Sequence, residues 1–165
     1  MGARTMQAIS PSLVQDFYQA RLSRDPARIA PFLDDDVEWS TAGPVDLFHF
    51  CGQRRGKEAV LDAMVRLVPA LLKVTAMELE ELLVDGDRAA TFSRVTAVQP
   101  GSERIISYRQ AQFFRFRDNK IVSYRAILDS FDAVEQLLGH SIDLSQRPRP
   151  ADPTGAGDLI TREKA

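Results

Sequence analysis

Apolar residues recur along the chain in two rhythms. Up to about residue 72 they return at helical spacing; beyond it they mostly alternate with polar residues, the rhythm of strands. Ser10-Pro11 reads as an N-cap followed by proline at the first helical position. Leu13, Val14, Phe17, Tyr18 and Leu22 then carry a first helix to about Ser23. Asp25-Pro26 opens a second, short helix in the same way, ending near Leu33. The acidic turn Asp34-Asp35-Asp36 leads into a short strand, Val37–Ser40, and residues 42–56 read as a loop. Gly56 precedes a third helix whose stripe is Val60, Leu61, Met64, Leu67 and Val68, with Pro69 placed to stop it. Four strands follow, at about 73–84, 88–98, 104–117 and 120–130, with hairpin turns at Asp85-Gly86-Asp87 and Pro100-Gly101-Ser102. Asp129 or Ser130 caps a last helix, Phe131–Leu138, closed by Gly139.

The clearest alternation lies in the hairpin at 113–132 and the arm leading into it. Phe116, Phe114, Gln112, Gln110 and Tyr108 share one face, against Arg115, Phe113, Ala111 and Arg109 on the other. The returning arm sets Val122, Tyr124, Ala126 and Leu128 against Ser123, Arg125, Ile127 and Asp129. The buried face thus contains two glutamines and two tyrosines. Polar groups withdrawn from water need partners, so such a patch in an apolar concavity is where a ligand would be read. Helices first and long strands after predict an α+β domain, a cone-shaped curved antiparallel sheet covered by N-terminal helices. The expected organisation is an extension at 1–11, a cone domain at 12–142, and a proline- and glycine-rich disordered tail at 143–165.

Composition narrows the function classes. At 165 residues the chain fits one domain, and 44% hydrophobic with 27% charged residues is ordinary for a globular protein. A net charge of −2 supplies no field for nucleic acid, and no apolar run is long enough to span a bilayer. A single cysteine, Cys51, and two distant histidines, His49 and His140, predict no disulfide and no metal centre. A cytoplasmic, metal-free and cofactor-free domain is expected.

Four segments carry a resemblance: FYQARLSRD at 17–25, the acidic turn into VEW at 37–39, RRGKEAV at 54–60, and FRFRDNKIVSYRAIL at 114–128. Over residues 12–140 the chain resembles the cone-fold superfamily of ketosteroid isomerases, SnoaL-like polyketide cyclases, limonene-epoxide hydrolases and nuclear transport factor 2. The last segment is the most like the isomerases. Those enzymes use a tyrosine and a protonated aspartic acid as an oxyanion hole, with a second aspartate as base. The resemblance puts the tyrosine position on Phe17, the base position on Trp39 and the oxyanion-hole acid on Gln112. Phe17 cannot donate a hydrogen bond and Trp39 cannot abstract a proton, whereas Gln112 still donates through its amide. The hydrolases' Asp-Arg-Asp set falls on Thr96, Arg94 and Ala126, and Ala126 is also the cyclases' usual aspartate position. The established mechanisms of all three families therefore lack an acid or base here.

By the same matching, the cone wall presents Trp39, Phe92, Arg94, Thr96, Tyr108, Gln110, Gln112 and Tyr124, with Phe17, Ala126 and Leu128 adjoining. Arg94 either pairs with an internal carboxylate such as Glu38 or Glu78, or receives an anionic ligand oxygen. Gln110 and Gln112 either satisfy one another and Tyr108, or Gln112 donates to a ligand carbonyl. His49, between Phe48 and Phe50, is the available base near the mouth. Asp129 is best explained as a helix cap, and Cys51 as a small buried residue. On the outer sheet face Val95, Ala97, Ile105, Ala111, Phe113 and Ile127 are expected among arginines and serines, and the superfamily's habit implies a two-fold homodimer through that face. The expected function is binding of a small, largely apolar molecule with a carbonyl or anionic group. An isomerase, cyclase or lyase acting with Arg94, Gln112 and His49 is one form of it; a non-catalytic binding or dimerisation module is the alternative.

Overall fold

The computed structural model describes residues 8–143 and residue 145. The first helix, α1 (Pro11–Ser23), begins where Ser10 Oγ accepts the Leu13 N–H at 3.3 Å, and ends on Arg24 in the left-handed conformation. The short α2 (Pro26–Ile29) repeats the device, with Asp25 accepting the Ala27 N–H at 2.9 Å, and runs into a 3-10 turn, Ala30–Phe32. Ile9 is buried and bonds to the Gly86 carbonyl at 3.0 Å, so the folded unit reaches behind residue 12. The rest of the expected extension (1–7), and of the expected tail beyond residue 143 except residue 145, lies outside the described residues.

Six strands form one sheet in the order β2-β1-β6-β5-β4-β3. They are β1 (Leu33–Ala42), β2 (Gly52–Arg55), β3 (Lys73–Asp85), β4 (Arg88–Val98), β5 (Ile105–Arg117) and β6 (Lys120–Leu128). Every neighbouring pair is antiparallel except β1 with β6, which run parallel. Register shifts in the β1–β6, β3–β4 and β5–β6 ladders, each the mark of a bulge, bend the sheet into a cone. The shift between Arg115 and Phe116 also turns Ile121 rather than Val122 fully inward.

Three elements differ from the sequence pattern, the first being β1, which takes in the expected acidic turn Asp34-Asp35-Asp36 as strand. Residues 52–55 form a strand, which the pattern hides because Gly-Gln-Arg-Arg has no apolar alternation; β1 supplies the partner. The third helix does not stop at Pro69. It runs as α3 (Lys57–Asp62), a π turn (Ala63–Leu67) and α4 (Val68–Leu71), and Pro69 falls in the first turn of α4, where a missing N–H is tolerated.

The register of β4 corrects the expected lining. Arg94 lies opposite Arg109 and Phe92 opposite Ala111, on the outer face, while Thr91, Ser93 and Val95 oppose Gln112, Gln110 and Tyr108 on the inner one. Arg94, Phe92 and Thr96 therefore point away from the cone, and Val95 and Ala97, expected outside, are buried within it. The cause is charge: Arg94 and Arg109 both reach Glu80, at 3.2 Å each, on the half-wet outer surface. Arg94 does pair internally, but with Glu80 rather than Glu38 or Glu78.

The last helix, α5 (Ser130–Leu138), starts at the Asp129 cap and ends on Gly139. Because β6 stops opposite Gln110, β5 has a bare edge at Ile105–Arg109. There Asp129 donates its N–H to the Arg109 carbonyl at 3.0 Å, and the Gln136 amide closes both backbone groups of Ser107 at 2.7 and 2.8 Å. Among the described residues no helix is long and apolar enough to cross a membrane.

Candidate functional site

The closed end of the cone is filled with side chains. Phe17 packs on Phe32 and Phe114, and Leu33, Val37, Phe116 and Ile121 surround them. Above this plug a polar chain crosses the core. The Tyr18 hydroxyl donates to Gln112 Oε1 and lies 2.7 Å from Thr91 Oγ1, while Gln112 Nε2 donates to the Tyr124 hydroxyl at 2.7 Å. Gln112 is thus fully buried with both ends of its amide occupied, and it serves as a structural tie rather than a ligand contact. The phenol that donates to Gln112 comes from Tyr18, one residue beyond the Phe17 position.

Beyond Tyr124 a cavity opens, with about 40 Å³ of space accessible to the centre of a water molecule. Trp39 and Tyr124 form one wall as a stacked pair, ring centroids 3.4 Å apart and 11° from parallel. Tyr108, Gln110 and Leu128 form another, Met64 and Met77 a third, and Arg21 of α1 reaches in from the side. The Arg21 guanidinium lies 5.8 Å from the Phe17 ring and 6.0 Å from the Trp39 ring. Two donors on this wall, Arg21 Nη1 and Gln110 Nε2, are buried without a hydrogen-bond partner. Among the described lining residues there is no Asp, Glu or His.

The titration of the wall follows from burial. Desolvation pushes Tyr108 up to about 12 and also raises Tyr18 and Tyr124, against the opposing pull of the Arg21 charge on all three phenols. All three tyrosines of the chain are therefore neutral hydrogen-bond donors at physiological pH. The site can bind and polarise an oxygen atom through arginine, amide and phenol donors, but it offers no side chain to remove a proton.

Of the expected site residues, the fold brings Trp39, Tyr108, Gln110, Tyr124 and Leu128 together on the cavity. Phe17, Gln112 and Ala126 are buried in the surrounding core, whereas Phe92, Arg94 and Thr96 are on the outer face. His49 is exposed on its loop, with Nδ1 3.1 Å from the Val45 carbonyl, and is not part of the wall. Cys51 is buried, and desolvation pushes its thiol up to about 11, which makes it inert.

The sequence pattern missed Arg21, Thr41, Met64 and Met77. Arg21 was within reach: it stands four residues after Phe17 and seven after Val14, on the buried stripe of α1.

The SnoaL-like domain family matches residues 14–124. No curated protein matches the chain. Among solved structures, a candidate isomerase from Rhodopseudomonas palustris is 31% identical with a TM-score of 0.74, covering 80% of this chain and 100% of that one. TerC, co-crystallised with polyporic acid, is 20% identical over 77% of this chain and 96% of its own, at a TM-score of 0.66. An epoxide hydrolase from Mycobacterium tuberculosis is 17% identical over 78% and 88%, at a TM-score of 0.63. The last two likenesses concern the fold alone. With the family match spanning most of the cone, the chain belongs to the SnoaL-like family, on the ketosteroid isomerase-like cone of the nuclear transport factor 2-like fold.

Proposed function

We propose that the cone binds a small, largely apolar molecule through a carbonyl or anionic oxygen, received by Arg21 and Gln110. One observation carries this reading: two buried donors on one cavity wall, Arg21 Nη1 and Gln110 Nε2, have no partner in the protein. Buried donors are normally satisfied, and an unpaired one costs about 1–3 kcal/mol that a ligand acceptor would recover. Around them Trp39, Tyr108, Met64, Met77 and Leu128 supply an apolar body. Arg21 thus takes the role that the sequence reading gave to Arg94.

If the ligand is turned over, the chemistry is that of a cofactor-free isomerase, cyclase or lyase, in which Arg21 and Gln110 stabilise the charge that develops on the substrate oxygen while solvent water, the wall supplying no base, takes up the α-proton. A second reading, binding without turnover, is favoured by the lack of any carboxylate or imidazole on the described wall. The outer face carries Phe113, Ile105 and Ile127, 47%, 73% and 59% exposed, and we assign it to a two-fold homodimer.

Thermal-shift screening of small ketones, phenols and aryl acids tests the site. A hit should lose its effect in Arg21→Met and Gln110→Leu and keep it in Arg94→Ala. A hit abolished by Arg94→Ala and untouched by the other two would refute the placement. Proton exchange at the α-carbon of a bound ketone in deuterated buffer separates turnover from binding.

A further inference from the structure

A second chamber lies on the far side of Arg21, with about 30 Å³ open to the centre of a water molecule. It shares Arg21, Met64, Val68, Val74 and Met77 with the first, so these side chains are a common partition. Neither chamber holds more than a few waters as it stands. Three of these five side chains, however, are among those best able to move. Two are methionines, unbranched and adaptable. One is the long Arg21, which among the described residues has no carboxylate within ion-pair distance to hold it. Met64 is carried on the π turn Ala63–Leu67, a departure from regular helix that recurs at functional sites.

The outer chamber adds one chemical group that the inner one lacks. Arg24, the exposed residue that ends α1 with φ 56°, lines it. Like Arg21, it has no ion-pair partner among the described residues. Two arginines without ion-pair partners, three residues apart, therefore line the two adjoining chambers, the half-buried Arg21 with its buried Nη1 on the partition and Arg24 at the exposed end.

We propose that the two chambers are halves of one site for an elongated keto acid, its carbonyl oxygen at Arg21 and Gln110 and its carboxylate at Arg24. The inference rests on the reading of the inner cavity given above and adds the second chamber, the anionic group and the length of the ligand. An oxygen acceptor satisfies the buried donors, and a carboxylate matches the fork of a guanidinium that stays partly in water. The apolar segment between the two groups replaces the methionine contacts of the partition.

Three probes of nearly equal size separate the parts: 3-benzoylpropionate carries both groups, 4-phenylbutyrate lacks the ketone, and butyrophenone lacks the carboxylate. Their dissociation constants are measured by NMR titration on the wild-type chain, Arg24→Asn and Arg24→Glu. Asparagine tolerates the left-handed backbone, so the fold survives, and circular dichroism checks it.

The keto acid should bind tightest. Arg24→Asn should weaken both acids by about fivefold, the scale of a solvent-exposed ion pair, and Arg24→Glu by more, while butyrophenone is unaffected. Equal affinity for butyrophenone and the keto acid, or acids indifferent to Arg24→Glu, would overturn the second chamber and leave the inner cavity standing. If none of the three probes binds the wild-type chain, the inner-cavity reading falls and this inference falls with it.

Discussion

Replacing Arg21 by methionine should make the protein more stable and less able to bind. Nη1 is buried without a partner, which costs the folded state about 1–3 kcal/mol. The charge recovers part of that through the faces of Phe17 and Trp39, at 5.8 and 6.0 Å. Such contacts are worth about 0.5–2 kcal/mol. Methionine keeps the aliphatic stem that packs beside those rings and loses only the head group. The balance is a gain of roughly 1 kcal/mol, or a melting temperature higher by about 2–4 °C for a chain of this size.

Ligand binding should move the other way. A hydrogen bond from a charged donor contributes about 1.5–3 kcal/mol, so affinity for a carbonyl or anionic probe should fall roughly 10- to 150-fold. Urea denaturation followed by the emission of Trp39, the chain's single tryptophan, gives the first quantity. Calorimetric titration with a ligand found by screening gives the second. A loss of more than about 1 kcal/mol of stability with unchanged affinity would make Arg21 a structural pillar between two rings and remove it from the site.

Gln112→Leu should cost about 2–3 kcal/mol, because the Tyr124 hydroxyl loses its donor in a dry core while Tyr18 keeps Thr91; a urea midpoint within error of wild type would contradict the tie. Burial holds the tyrosines neutral, so the folded chain keeps protons that the unfolded chain releases from about pH 10 upward. Their stabilisation is whole below that pH and is lost as pH climbs through the folded value near 12, on the order of 2–3 kcal/mol for Tyr108 alone. Ultraviolet titration should then show phenol ionisation coinciding with unfolding; three separate titrations near pH 10 in a folded chain would refute the burial. Light scattering should find a dimer for the wild-type chain and a monomer for Phe113→Glu/Ile127→Glu, two exposed outer-face positions; a wild-type monomer would dismiss the assigned interface.

The fold was legible where charge and apolar residues separate cleanly by parity. On β5 the arginines at 109 and 115 sit between Phe116, Phe114, Gln112, Gln110 and Tyr108, and the inner face follows directly. On β4 the charge signal was present, Arg88 and Arg94 sharing one parity, but the resemblance put Arg94 inside. The uncharged residues give no contrast: Ala89, Thr91, Ser93, Val95 and Ala97 are no more apolar than Ala90, Phe92, Thr96 and Val98. Its pairing with β5 settles which set faces inward, and pairing is a tertiary fact. Part of the candidate site was legible for the same reason: Tyr108, Gln110, Tyr124 and Leu128 come from the two well-patterned strands. Arg21 escaped because helical stripes are read from apolar residues, and a guanidinium on a stripe is discounted even when its spacing fits. The π turn had no signal in the sequence.

The Gln136 amide on Ser107 has a consequence for the fate of the chain in a crowded solution. The bare stretch of β5 ends in Ile105, 73% exposed, and an uncovered strand edge with apolar residues is a template for strand addition by another molecule. α5 closes that edge with one side-chain amide and one backbone bond from Asp129, so a brief undocking of nine residues uncovers it. Shelf life of the folded protein is then governed by how often one short helix lifts, well before the sheet itself opens.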